Sequence, residues 1–136
     1  MAISVGIDLV EIDEVRESLR LQGERYLKRI YTEAEQRDCG RNPRCLAARF
    51  AAKEATMKAL RIAGEAVAWR SIEVAHDGTG RPSISLTGEA AELAKKRRIL
   101  SLDLSLTLNR SSATAVVVAE LDAGVSQPPG SGPAAA

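Results

Sequence analysis

Residues 44–62, RCLAARFAAKEATMKALRI, hold neither glycine nor proline and are rich in Ala, Leu, Met, Lys and Glu. The stretch predicts a long helix with Pro43 as its first residue and Gly64 beyond its end. At a helical repeat Leu46, Phe50, Met57 and Leu60 fall on one stripe, and Ala47, Ala51 and Ala55 form a smooth neighbouring face. A helix that is apolar or small around so much of its surface belongs at the centre of a domain, so the other elements must wrap it.

Those elements are short. ISVGIDLV (3–10) reads as a mostly buried strand, followed by a helical pattern from Asp13 through Leu21 that Gly23 breaks, and a further helical stretch over 25–31. Thr32 and Glu35 have the spacing of a capping box and predict a helix from Glu33 that stops before Gly40. WRSIEVAH (69–76) and RPSISL (81–86) alternate as strands about a DGTG turn. Thr87 is placed to cap a helix whose basic end is Lys95–Arg98, and residues 99–108 and 113–120 read as two strands joined by NRSS. The expectation is an α+β fold, one domain over residues 1–122 with an antiparallel sheet packed on the central helix. Residues 123–136, with three of the five prolines and no large apolar group, read as a disordered tail.

Composition removes several classes of function. The 136 residues carry 19 Lys+Arg against 18 Asp+Glu, and aromatics make up 3%. There is neither a basic field nor a supply of stacking rings, so nucleic acid is not an expected partner. One histidine, His76, and two cysteines, Cys39 and Cys45, cannot assemble a zinc site. Asp8 and Glu11 follow the first apolar run too soon for a secretory leader, and no stretch approaches the ~20 apolar residues of a membrane span. The chain reads as cytoplasmic, with reduced thiols.

Charge inside the most apolar elements is the pattern that suggests chemistry. Asp8 interrupts the first strand, and Arg49, Lys53, Glu54 and Lys58 sit on the central helix, Lys53 close to the middle of its apolar stripe. Glu54 and Lys58, four apart, share a face and read equally as an ordinary solvated ion pair. Taken with Asp8, they also read as two carboxylates holding a magnesium ion, with Lys58 at a phosphate that shares the ion. No glycine-rich phosphate loop is present, so a phosphate would be held by metal and cations.

GIDLVEI (6–12) and RFAAKEATMKAL (49–60), in that order, resemble the two signatures of the 4′-phosphopantetheinyl transferases; KRIYTEAE (28–35) and WRSIEVAHDGTGRP (69–82) resemble the segments around them. The likeness covers residues 3–121. It implies magnesium-dependent, or manganese-dependent, transfer of the phosphopantetheine arm of coenzyme A to a serine of an apo acyl carrier protein, in fatty acid or polyketide synthesis. The short chain resembles the single-domain, homotrimeric subgroup with sites between subunits. By resemblance Asp8 and Glu54 ligate the metal; Asp8, Glu54 and Lys58 are catalytic; Arg49, Lys53 and Lys58 hold coenzyme A. Gly80 and Pro82 fall where the neighbouring subunit's adenine pocket is expected, and Thr107 falls near the expected place of the coenzyme A 3′-phosphate. Leu108 stands where the family has a histidine, and Glu14 where it has a basic residue. These two departures motivate the alternative, a catalytically impaired member that binds coenzyme A or a carrier protein.

Overall fold

In a computed structural model, which describes residues 2–122, the chain runs β1 (Ala2–Glu11), α1 (Ile12–Gln22), α2 (Glu24–Ile30), α3 (Glu33–Cys39), α4 (Pro43–Ala59), a 3₁₀ turn (Trp69–Ser71), β2 (Ile72–His76), β3 (Pro82–Leu86), α5 (Gly88–Lys96), β4 (Ile99–Leu108) and β5 (Ser112–Leu121). The tail expected at 123–136 lies outside the described residues. The long strands form an antiparallel sheet in the order β1-β5-β4, with Asp8 opposite Ala115, and β2 and β3 form a separate antiparallel hairpin. Among the described residues no helix is long and apolar enough to cross a membrane.

Helix α4 forms for the reasons its sequence states. Asn42 caps it, its side-chain oxygen accepting from the backbone N–H groups of Arg44 and Cys45, and Pro43 occupies the first turn, where a missing N–H costs nothing. Ala47, Ala51, Ala55 and Ala59 are buried, as are Ala113, Ala115, Val117 and Ala119 on β5, so helix and sheet meet through small side chains. The approach is closest at Gly6: a Cβ built there would lie 1.9 Å from the Ala55 carbonyl oxygen. That contact requires glycine. Along β1 the residues flanking Gly6 on the same face are Ser4 and Asp8, which places Asp8 beside α4.

Several boundaries differ from the expectation. The helix stops at Ala59 rather than at 62, because Leu60 closes it and Arg61 turns into the left-handed region at φ 55°. Trp69–Ser71, expected to begin a strand, make the 3₁₀ turn instead, and the hydroxyl of Thr87 accepts no hydrogen bond from α5 although Thr87 is its N-cap residue. The capping box of α3 is formed, Thr32 Oγ1 accepting from Glu35 N at 3.2 Å and Glu35 Oε1 accepting from Thr32 N at 2.9 Å.

Glu35 also accepts from the backbone N–H of Val74 at 2.8 Å and pairs with Lys53 Nζ at 2.8 Å, both side chains being wholly buried. Lys53 donates in addition to the carbonyls of Trp69 (3.1 Å) and Ile72. A buried pair of this kind survives desolvation because every charge finds partners.

Cys39 and Cys45 are joined in a disulfide, which overturns the expectation of reduced thiols. The turn at Gly40 (φ 56°) and the abrupt start of α4 at Pro43 bring the end of α3 against the first turn of α4, with the two Cα atoms 5.4 Å apart. Spacing in sequence carries no information about that turn. Closing so short a loop contributes about 2 kcal/mol on the chain-entropy estimate. The double variant Cys39→Ser/Cys45→Ser is expected to lose about that much stability in urea denaturation, and dithiothreitol is expected to bring the wild-type protein to the same midpoint.

Candidate functional site

Strand β1 and helix α4 bring Asp8, Glu54 and Lys58 together. Lys58 Nζ donates to Asp8 Oδ1 at 3.0 Å and to the carbonyl of Ile7 at 2.9 Å; the Asp8 side chain is 13% exposed and that of Lys58 56%. Glu54 is half-buried. Burial, then the neighbouring Asp8 carboxyl and its charge, push the Glu54 carboxyl up to about 7; Lys58 opposes the rise and Glu14 adds to it. The Glu54–Lys58 pair is therefore not a plain solvated one, since Lys58 is turned onto β1.

Asp8 and Glu54 line a cavity of about 260 Å³ whose wall also includes Glu14, Ser18, Tyr26 and Phe50. The sequence singled out Glu14 for its charge but did not place it in this cavity. The signal it lacked was geometric: α1 starts at Ile12, directly after β1, and so turns its first residues back over the strand's end.

The other expected site residues lie elsewhere. Arg49 is 4% exposed; its Nη2 lies 3.4 Å from His76 Nδ1 and 3.6 Å from Asp38 Oδ2, and its buried Nε has no hydrogen-bond partner. Lys53, expected to hold coenzyme A, is instead fully buried in the ion pair with Glu35, because its position in the helix stripe points into the protein rather than out of it. Gly80 (φ 85°) closes the turn that Asp77 organises by accepting from the backbone N–H groups of Thr79 and Arg81. Pro82 lines a cavity of about 440 Å³ with Asp103, Ser105 and Val118, while Thr107 stands exposed on β4 opposite Thr114. Asp8 and Glu54 on the one hand and Pro82 on the other thus line separate cavities.

Residues 4–117 match the sequence model of the 4′-phosphopantetheinyl transferase superfamily. The chain belongs to that superfamily. Among individual members, the holo-[acyl-carrier-protein] synthase of Paramagnetospirillum magneticum is 46% identical over 129 residues, covering 88% of this chain and 97% of its own. The fold superposes on an ACPS–CoA complex from Chronobacterium ammoniagenes with a TM-score of 0.79 at 32% identity, over 90% of this chain and 99% of that one. It also superposes on the Helicobacter pylori holo-[acyl-carrier-protein] synthase in complex with coenzyme A, with a TM-score of 0.77 at 28% identity, over 85% and 99%.

The two carboxylates Asp8 and Glu54 offer the donor chemistry that magnesium or manganese takes. Their donors are hard oxygens, and burial together with the Asp8 charge raises the Glu54 carboxyl to about 7. Among the described residues no cluster of three or more His, Cys, Asp or Glu is arranged to hold a metal. Two protein ligands leave the remaining positions to water and phosphate oxygens, as magnesium favours.

Two consequences follow from the raised carboxyl. Cation binding requires the Glu54 proton to leave, so magnesium affinity is expected to rise with pH up to about 7, with proton release on binding below it; calorimetry in buffers of different ionisation enthalpy reads this. In metal-free protein the folded-state value lies above the unfolded 4.5, so the contribution of Glu54 is favourable at low pH and is lost as pH rises through about 7. Glu54→Gln, always neutral, is expected to melt higher than wild type at pH 8 without metal and to lose that advantage at pH 5.

Proposed function

We propose that residues 1–122 form a magnesium-dependent holo-[acyl-carrier-protein] synthase that transfers 4′-phosphopantetheine from coenzyme A to a serine of an apo acyl carrier protein. The observation that carries this reading is the grouping of two carboxylates, Asp8 and Glu54, on one cavity with Lys58 paired to Asp8 at 3.0 Å. Asp8 and Glu54 would hold the metal, which when bound supplies neutralisation of pyrophosphate charge. Phosphoryl transfer asks the protein for positioning and for charge stabilisation around the transferred phosphorus, and Lys58, exposed and adjacent, serves both. The serine oxygen forms the new bond to the phosphorus that bears the pantetheine arm. The bond from that phosphorus to the bridging oxygen breaks, adenosine 3′,5′-bisphosphate leaves, and the serine proton passes to Glu54.

Arg49 is the further phosphate contact. A guanidinium that is 4% exposed and keeps a buried, unpartnered Nε has a donor to spare for an anion. Gly80, Pro82 and Thr107 would receive the adenosine end of coenzyme A from a neighbouring subunit, which accounts for their distance from Asp8. Lys53 is left out of this reading because its ammonium is enclosed.

A homotrimer is part of the proposal. Ile3, Val5, Ile7 and Leu9 on the outer side of β1 are each more than half exposed, and Val118 on the paired β5 is 38% exposed. An apolar sheet face of this extent calls for a partner surface. The pathway that supplies the carrier, fatty acid or polyketide synthesis, and a cytoplasmic location belong to the same reading.

Incubating the protein with coenzyme A, magnesium and an apo carrier should add the mass of one phosphopantetheine to the carrier. Asp8→Ala and Glu54→Ala are each expected to lower the rate more than 100-fold; full activity of either would refute the metal assignment. The pair Val5→Asp/Ile7→Asp is expected to shift the light-scattering mass from trimer to monomer, and to abolish transfer if the sites lie between subunits.

A further inference from the structure

The turn that ends α4 places a second cation beside Lys58 at a backbone cost. Arg61 adopts φ 55°, a conformation glycine takes freely and side-chain-bearing residues resist. Three hydrogen bonds hold it there. Its N–H donates to the Lys58 carbonyl at 3.0 Å, its carbonyl accepts from Arg97 Nη2 at 3.2 Å, and its Nε donates to Ser4 Oγ at 3.1 Å. Ser4 and Asp8 lie on the same side of β1, so the two contacts run in parallel: Lys58 over Asp8 and Arg61 over Ser4, four residues or ~13 Å along the strand. Lys58, Arg61, Met57 and Ile62 line one cavity of about 390 Å³. Among the described residues nothing hydrogen-bonds the two Nη nitrogens of Arg61, whose Nε fixes the direction of the guanidinium plane.

Given the transferase reading, on which this step rests, a ligand with its pyrophosphate at Asp8, Glu54 and Lys58 extends both ways from that point. One half of coenzyme A is the phosphorylated adenosine, an anion. The other is the pantetheine arm, an uncharged chain of methyl, hydroxyl and amide groups. The cavity that Lys58 shares with Arg61 has apolar lining at Met57 and Ile62 and a forked donor in Arg61, which matches a chain that needs van der Waals cover and a partner for amide carbonyls. We infer that Arg61 is a binding residue for the pantetheine arm of coenzyme A, its Nη groups donating to the arm's carbonyl oxygens while Met57 and Ile62 pack against its aliphatic part.

Arg61→Gly tests this, because it removes the guanidinium and relieves the left-handed backbone together. The variant is expected to melt no lower than wild type, to raise KM for coenzyme A about tenfold with kcat within twofold, and to bind adenosine 3′,5′-bisphosphate, which lacks the arm, as wild type does. Arg61→Lys, which keeps a charge but not the fork, should fall between the two in KM. An unchanged KM for coenzyme A in Arg61→Gly overturns the inference. An equal loss of affinity for coenzyme A and for adenosine 3′,5′-bisphosphate overturns it too, by putting Arg61 on the phosphates. Wild-type protein that binds neither ligand overturns the transferase reading and this inference with it.

Discussion

The close approach of β1 to α4 at Gly6 is the contact on which the site depends. A strand normally stands off a helix by the thickness of two side-chain layers, and a carboxylate on such a strand is too far from the helix to share a proton or an ion with it. With no Cβ on Gly6 and only methyl groups on the facing helix, the backbone meets the Ala55 carbonyl directly. Asp8, two residues on and on the same side of the strand, then reaches both Lys58 and Glu54. Gly6 and the alanines of α4 are packing residues in position and functional residues in consequence.

A second constraint fixes the helix from its other flank. Lys53 and Glu35 form a buried ion pair whose spare hydrogen-bonding capacity goes to the carbonyls of Trp69 and Ile72 and the N–H groups of Thr32 and Val74. It thereby ties α3, α4 and the start of β2 at one point. Burial pulls the Lys53 ammonium down and the Glu35 charge pulls it back, so each ion is tolerable only while the other stays. Removing either partner leaves a lone charge in the interior, a far larger loss than the pair's own net contribution to stability.

How much of this was legible follows from what each signal encodes. Residues with local causes were readable: Pro43 starts α4 and Thr32 and Glu35 cap α3, whereas β1, read as a mostly buried strand, leaves Ile3, Val5, Ile7 and Leu9 exposed on one face. Asp8, Glu54 and Lys58 were readable as a group because strand and helix periodicity put each on a definite side of its element. What periodicity cannot tell is what stands opposite. Lys53 looked like a ligand contact and is a core residue, since its partner Glu35 is 18 positions away on another helix. Cys39 and Cys45 looked like two reduced thiols, since the turn at Gly40 that brings them together leaves no mark in their spacing. The end of α4 was misplaced because Arg61 is a good helix former held out of the helix by Ser4 and Arg97, both remote in sequence.

The electrostatics of the site resolve an apparent conflict between its two carboxylates. Asp8 has the Lys58 ammonium at 3.0 Å, while Glu54, half-buried beside the Asp8 charge with Glu14 on the same cavity wall, retains its proton toward neutrality. One geometry thus yields a carboxylate with a standing counter-ion and a second that keeps its proton up to about pH 7. If Glu54 were as acidic as an exposed glutamate, two adjacent charges would have to be carried by the empty fold, at a standing loss of stability. Held at about 7, it would carry the second charge where a divalent ion offset it, as the proposed metal site requires. Burial of Glu54, set by the same close packing of β1 on α4, would then couple proton release to binding of that ion.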